Sequence, residues 1–214
     1  MKENRKNLLL SFILFLISII LAIIYYDRLP VRIPVHYDFD WQVDIYAKKI
    51  NALLFIVIFM VLVYLALYFI LTLDPKRNEH DESYKHISLL TIPILNLLII
   101  GLTIRKTFDP SLNVGRIIVA VIAVFIAISG VFMPRIKRNY TLGIRTPWAL
   151  ENDYVWKKTQ KLSGLLLFIN GVFSLIILGF SVKIAFILLT SLFILTIIVS
   201  FIYSYLIYNN LANK

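Results

Sequence analysis

Six long stretches without a single charged side chain divide this chain, and they limit its fold more than any other feature. They cover residues 8–26, 50–73, 87–104, 117–134, 162–182 and 184–208, with lengths of 18 to 25 residues. A helix needs about 20 mainly apolar residues to cross a hydrocarbon core, so every one of the six qualifies. Together they take up 125 of the 214 residues, and the longest piece between them has 27. A piece of that size falls short of the roughly 40 residues that a free-standing soluble core needs. The expected fold is therefore an all-α polytopic membrane protein of six transmembrane helices. It is expected to carry a short extracellular strand-like loop and a cytoplasmic interfacial helix. Residues 1–73 form the N-terminal membrane region with its outer loop at 27–49, and residues 87–208 a second membrane domain with its inner loop at 135–161.

Lys2, Arg5 and Lys6 precede the first run as they would in a secretory signal. The run is too long for such a signal and no small-x-small cleavage site follows, so a retained helix is expected. Orientation follows from where lysine and arginine collect. With the N-terminus inside, the cytoplasmic segments hold 14 of them and the outer segments 8, which places both termini in the cytoplasm. The net charge of +10 comes from residues that flank spans rather than from one basic face. That distribution argues against nucleic-acid binding and for the lipid bilayer, with anionic headgroups as partners. The chain has no cysteine, which excludes disulfides, thiol catalysis and cysteine-based metal sites.

Two polar islands break the apolar pattern. In the outer one, His36, Asp38, Asp40, Gln42 and Asp44 alternate with Tyr37, Phe39, Trp41, Val43 and Ile45. A period of two predicts one extended strand with carboxylates on one face and aromatics on the other. Pro30 and Pro34 keep the approach extended. The acids stand at the first, third and seventh positions of a calcium loop, but Val43 and Lys49 occupy the positions that need glycine and a bidentate glutamate. No metal is expected, and a lone His36 is more simply solvated than ligating. The acidic face suits either a cationic partner or plain solvation.

The inner island spans residues 139–164. Thr146-Pro147 is a helix start, with threonine as N-cap and proline at the first helical position. Trp148, Asn152, Val155, Thr159 and Leu162 then follow at helical spacing, with Trp156 beside them and Lys157, Lys158 and Lys161 able to reach phosphates. One reading is an interfacial helix with its tryptophans at headgroup depth. It leaves Gly143-Ile144-Arg145-Thr146-Pro147-Trp148 unexplained. A glycine free in its backbone, an arginine able to clamp a carboxylate or carbonyl, and a Pro-Trp pair make a fixed turn.

Here the sequence resembles the SdpI family, immunity proteins for the Sdp killing peptide of Gram-positive bacteria. The resemblance is carried by Met133-Pro134, Asn139-Tyr140, Gly143 to Trp148, Trp156-Lys157-Lys158-Thr159, Gly164 and Gly171. Leu29-Pro30, Ile33-Pro34, His36, Asp44 and Lys49 resemble the small N-terminal domain often joined to that family. Two positions depart from the family pattern: Trp41 stands where a glycine is usual, and Thr159-Gln160 where Thr-His is common. The first alters the turn of the outer loop, and the second removes an imidazole that a proton transfer would use.

The chain holds no zincin pair, phosphate-binding Gly-Lys loop, nucleophile elbow or dinucleotide fingerprint, and no enzyme activity or cofactor is expected. His80 and His86 sit in an acidic stretch that reads as a solvated linker. Asn96, three residues after Pro93, and Asn170 are the strongly polar groups within the spans, and both are expected to bond between helices. With no ionisable group at mid-membrane, an ion-coupled carrier is a poor fit. Two functions are left. The resemblance implies protection of the host membrane against a peptide toxin that dissipates the proton motive force. The alternative is a module whose cytoplasmic surface recruits a soluble regulator such as a repressor.

Overall fold

The computed structural model describes residues 2–73, 75 and 82–212, with side chains described for 6–73, 75 and 87–211. The linker reading at His80 and His86 lies outside those side chains. Among the described residues six helices are long and apolar enough to cross a membrane, over Lys6–Arg28, Lys49–Leu73, Ile87–Phe108, Val114–Arg135, Asp153–Leu178 and Val182–Leu211. Five of them contain one of the uncharged runs, and Asp153–Leu178 begins nine residues before the run at 162–182 and ends four residues short of its end. The chain divides into two compact units, residues 1–72 with 85–114 and residues 73–84 with 115–214.

The first unit carries α1 (Lys2–Tyr25), a short turn at Tyr26–Arg28, β1 (Arg32–Tyr37), β2 (Val43–Lys48), α2 (Lys49–Leu73) and α3 (Glu82–Phe108). Its core gathers Ala22, Leu29, Ile33, Ala52, Leu53, Ile100 and Ile104, which seats the base of the β-hairpin on the helix ends. Leu54, Phe55, Ile58, Phe59 and Leu62 of α2 face outward, as a helix surrounded by lipid requires. Pro93 lies inside α3, where it withholds one backbone hydrogen bond.

The expected single outer strand is an antiparallel hairpin. β1 and β2 pair from Arg32 with Lys48 to Tyr37 with Val43, with irregular register on both sides of His36. The chain turns because the Asp38 carboxylate accepts from the Asp40 amide at 2.9 Å and the Gln42 amide at 2.8 Å. An aspartate bonding to the backbone just ahead of it favours a turn over a continuing strand. Asp38, Asp40 and Gln42 therefore sit in the turn and share no strand face with His36 and Asp44.

The second unit carries α4 (Val114–Phe132), a turn at Met133–Arg135, α5 (Pro147–Glu151), α6 (Asp153–Leu178) and α7 (Val182–Ala212). The expected single inner helix is broken at Asn152, whose backbone is extended at φ −132° and ψ 124°. Its side chain accepts from the Tyr154 amide at 2.8 Å and caps α6, so the stripe from Trp148 to Leu162 runs over two helices. Buried small polar residues run along the α6–α7 contact: Thr159, Ser163, Asn170 and Ser174 on α6, and Thr196, Ser200 and Ser204 on α7. Ser163 bonds Ser200 at 2.7 Å, and the Asn170 amide donates to the Leu189 carbonyl at 3.1 Å. Such groups hold helices together where the surrounding lipid gives no hydrophobic drive. Asn170 thus makes its expected interhelical bond. Asn96 does not: it is fully buried with neither amide atom partnered among the described residues.

Candidate functional site

The loop from Ile136 to Asn152 closes over the ends of α6 and α7, and its path is set by a few buried polar side chains. Trp156, 1% exposed, donates its ring N–H to the Ile136 carbonyl at 2.7 Å. The buried Asn139 accepts from the amides of Thr141 and Leu142 and donates to the Lys137 carbonyl at 2.7 Å, which forms the first bend. Gly143 follows with φ +91°, a conformation that side-chain-bearing residues rarely adopt.

Gln160 of α6 then fixes the turn. Its carbonyl accepts from the Ile144 amide at 3.0 Å and its NH₂ donates to the Ile144 carbonyl at 2.8 Å, so one fully buried amide satisfies both backbone groups of a loop residue. A Cβ on Gly143 would lie 2.7 Å from that same Gln160 oxygen, a second reason for glycine there.

Arg145 is exposed and donates to the Tyr140 carbonyl, drawing the two sides of the turn together with one hydrogen bond to backbone. Thr146 caps α5 by accepting from the Ala149 amide at 3.1 Å, and its hydroxyl bonds Ser204 of α7 at 2.5 Å. Pro147 opens α5 as expected. Trp148 packs edge-on against Phe201 at 5.0 Å and beside Tyr205 at 5.1 Å, ring centre to ring centre. The tryptophans of this island are thus joined to protein, Trp156 fully and Trp148 on its aromatic contacts. Arg138 completes the frame by donating to the Leu150 carbonyl and pairing with Asp153, both at 2.8 Å. Thr159 is buried with its hydroxyl unpartnered among the described residues. Lys157 is exposed. The loop's polar groups are spent on holding backbone, while Tyr140, Arg145, Pro147 and the α6 lysines stay on the surface as a basic and aromatic edge.

In the first unit, Lys49 reaches back from the start of α2 to the carbonyls of Tyr26 at 2.7 Å and Leu29 at 3.0 Å, over the Tyr26 ring. It locks the root of the hairpin just before the exposed Pro30, while Pro34 pairs with Tyr46 in the sheet. His36 and Asp44 pair across the strands at 2.7 Å, and both are exposed. A cleft of about 260 Å³ lies between the hairpin turn, at Tyr37, Asp40, Trp41 and Gln42, and the chain at Lys106 and 110–114. Burial, and after it the neighbouring Tyr46, raises the Tyr37 phenol above its ordinary pKa. Beside the cleft, the Ser111 hydroxyl holds the Asp109 carboxyl below its own. Trp41 has φ +61° and is the one non-glycine with positive φ among the described residues.

The structure places Asn139, Gly143, Arg145, Thr146, Pro147 and Trp148 in the 136–152 loop and Trp156, Lys157 and Thr159 on α6 beside it, while Pro34, His36, Asp38, Asp40 and Asp44 lie in the hairpin with Pro30 and Lys49 at its root. Sequence reasoning missed Arg138, read Asn152 as part of a continuous helical stripe rather than as the cap of α6, and gave Gln160 no role beyond a lost imidazole. The available signal was spacing: Trp156, Gln160, Ser163 and Leu167 recur every three or four residues, so Gln160 had to face inward with an amide to satisfy.

Six apolar spans, with a pinned loop between the fourth and fifth and a hairpin after the first, define a multi-pass membrane protein. Residues 135–204 match the SdpI/YfhL protein family, and residues 13–61 match a domain of unknown function, DUF1648. The chain is also similar to the immunity protein SdpI of Bacillus subtilis (strain 168), at 26% identity over 211 residues, 97% of this chain and 98% of that one. The resemblance to the SdpI family read from the residues therefore holds. No solved structure matches the chain.

Proposed function

We propose that this protein is an immunity protein of a bacterial cell membrane, protecting its host against a secreted peptide toxin. The observation that carries this reading is the similarity to immunity protein SdpI along nearly the whole length of both chains. The orientation is both termini and the 136–152 loop in the cytoplasm and the hairpin outside, supported by the lysine and arginine bias. The hairpin is where an amphipathic cationic peptide is met: at its turn Phe39 is 73% exposed between Asp38 and Asp40. Its charges act mainly on encounter, over a reach of about 8 Å at physiological salt.

Toxin challenge of a sensitive strain, with and without the protein at matched membrane levels, tests the reading. Survival only with the protein is expected, and equal killing refutes it. A second reading, favoured by the exposed Tyr140–Arg145 edge on a rigid frame, adds recruitment of a soluble cytoplasmic regulator. On that reading Tyr140→Ala abolishes a toxin-induced transcriptional reporter while protection persists. Loss of neither output removes the regulator.

A further inference from the structure

A groove of about 520 Å³ runs along the outside of the second unit between α4 and α6, with Tyr203 of α7 at its edge. Its size falls within the range of small-molecule sites. The groove has two chemically different ends. At one end stand Lys158 and Lys161, both exposed and neither in an ion pair among the described residues. Beyond them the lining is apolar, with Val131, Leu165 and Phe168 each 42% to 55% exposed. No acidic side chain lines the groove.

The order of these residues along α6 matters. Lys158, Lys161, Leu165 and Phe168 are spaced three, four and three apart, so they form one stripe on the helix. From Lys158 to Phe168 the helix rises about 15 Å, half the thickness of a bilayer's hydrocarbon core. Charge therefore sits where a headgroup phosphate lies, and apolar surface continues to the depth of an acyl chain. The floor is recessed because Gly130 and Gly164 bring the two helices into backbone contact: a Cβ on Gly164 would lie 2.6 Å from the Gly130 carbonyl oxygen.

We infer that this groove is a binding site for one anionic phospholipid, its phosphate held by Lys158 and Lys161 and an acyl chain lying along Leu165 and Phe168. Charge complementarity selects the occupant. A zwitterionic lipid adds a trimethylammonium group that two lysines repel, and a free phosphate has nothing to place on the apolar half.

The test uses the full chain in nanodiscs of phosphatidylcholine containing phosphatidylglycerol, with lipids retained on release counted by native mass spectrometry. The intact protein is expected to retain phosphatidylglycerol over phosphatidylcholine, and K158Q/K161Q to lower that retention about tenfold. The control pair K137Q/K157Q removes the same charge outside the groove and is expected to retain the lipid. A tryptophan at the apolar end, L165W, is expected to be quenched more by brominated phosphatidylglycerol than by brominated phosphatidylcholine. Equal retention of both lipids, equal loss in both lysine pairs, or displacement by excess inorganic phosphate would overturn the assignment.

Discussion

Two side chains hold backbone in conformations that their neighbours make necessary. Gln160 bonds both the N–H and the C=O of Ile144, so Gln160→Ala leaves two backbone groups at a half-buried position without partners. A net hydrogen bond is worth about 1 kcal/mol, and the change is expected to cost about 2 kcal/mol. Limited trypsin digestion reads it directly, as faster cleavage after Arg145 in the variant. The Arg145 contact is a different case, because the residue is exposed and its guanidinium reaches one carbonyl. Arg145→Lys keeps the charge but not the planar fork. Protection is expected to fall while the amount of protein in the membrane stays the same, and full resistance with normal levels would remove Arg145 from the site. At Trp41 the test is a comparison, since any substitution loses the ring. Trp41→Gly is expected to unfold at a higher temperature than Trp41→Ala, by the equivalent of about 1 kcal/mol, because only alanine keeps the penalty of φ +61°.

Between elements, stability rests on how closely helices approach. A Cβ at Gly171 of α6 would lie 2.4 Å from the Ala123 carbonyl oxygen and 2.6 Å from the Ala127 nitrogen of α4, both of them backbone atoms with little freedom to move. Gly171→Ala is expected to force the two helices apart and cost about 1–3 kcal/mol, read as a lower melting temperature in detergent. The opposite sign is expected in α3. Asn96 is buried with both amide atoms unpartnered among the described residues, so Asn96→Leu removes a desolvation cost and is expected to raise the melting temperature. Boundaries between elements were harder to read from the sequence than their cores. The alternation from His36 to Ile45 satisfied a strand pattern but hid a turn, because the deciding bonds run from one carboxylate to backbone amides. In the same way the stripe from Trp148 to Leu162 hid the cap at Asn152, since an asparagine fits both a helix face and its start.

At the level of the whole molecule, the six spans were legible because a bilayer demands one thing of every residue in its core, and runs without charge meet it visibly. The candidate loop was legible as a location through Gly143 to Trp148, while its bracing was not. Its partners Gln160, Ser204, Phe201 and Tyr205 lie far along the chain, and only folding brings them to it. Orientation has a direct test in a chain with no native cysteine. Single cysteines at Gln42 and Tyr154, both exposed, are expected to react differently with an impermeant thiol reagent, the first in intact cells and the second only after lysis. The reverse pattern would turn the molecule over. The contacts of the 136–152 loop with α7 also bear on its biogenesis. Thr146 and Glu151 wait for their hydrogen-bond partners Ser204 and Tyr208, which the ribosome delivers 58 and 57 residues later, and Trp148 waits for Phe201 and Tyr205 of the same helix. Until α7 is in place the loop lacks these contacts, so a closed 136–152 loop reports that α7 has been inserted.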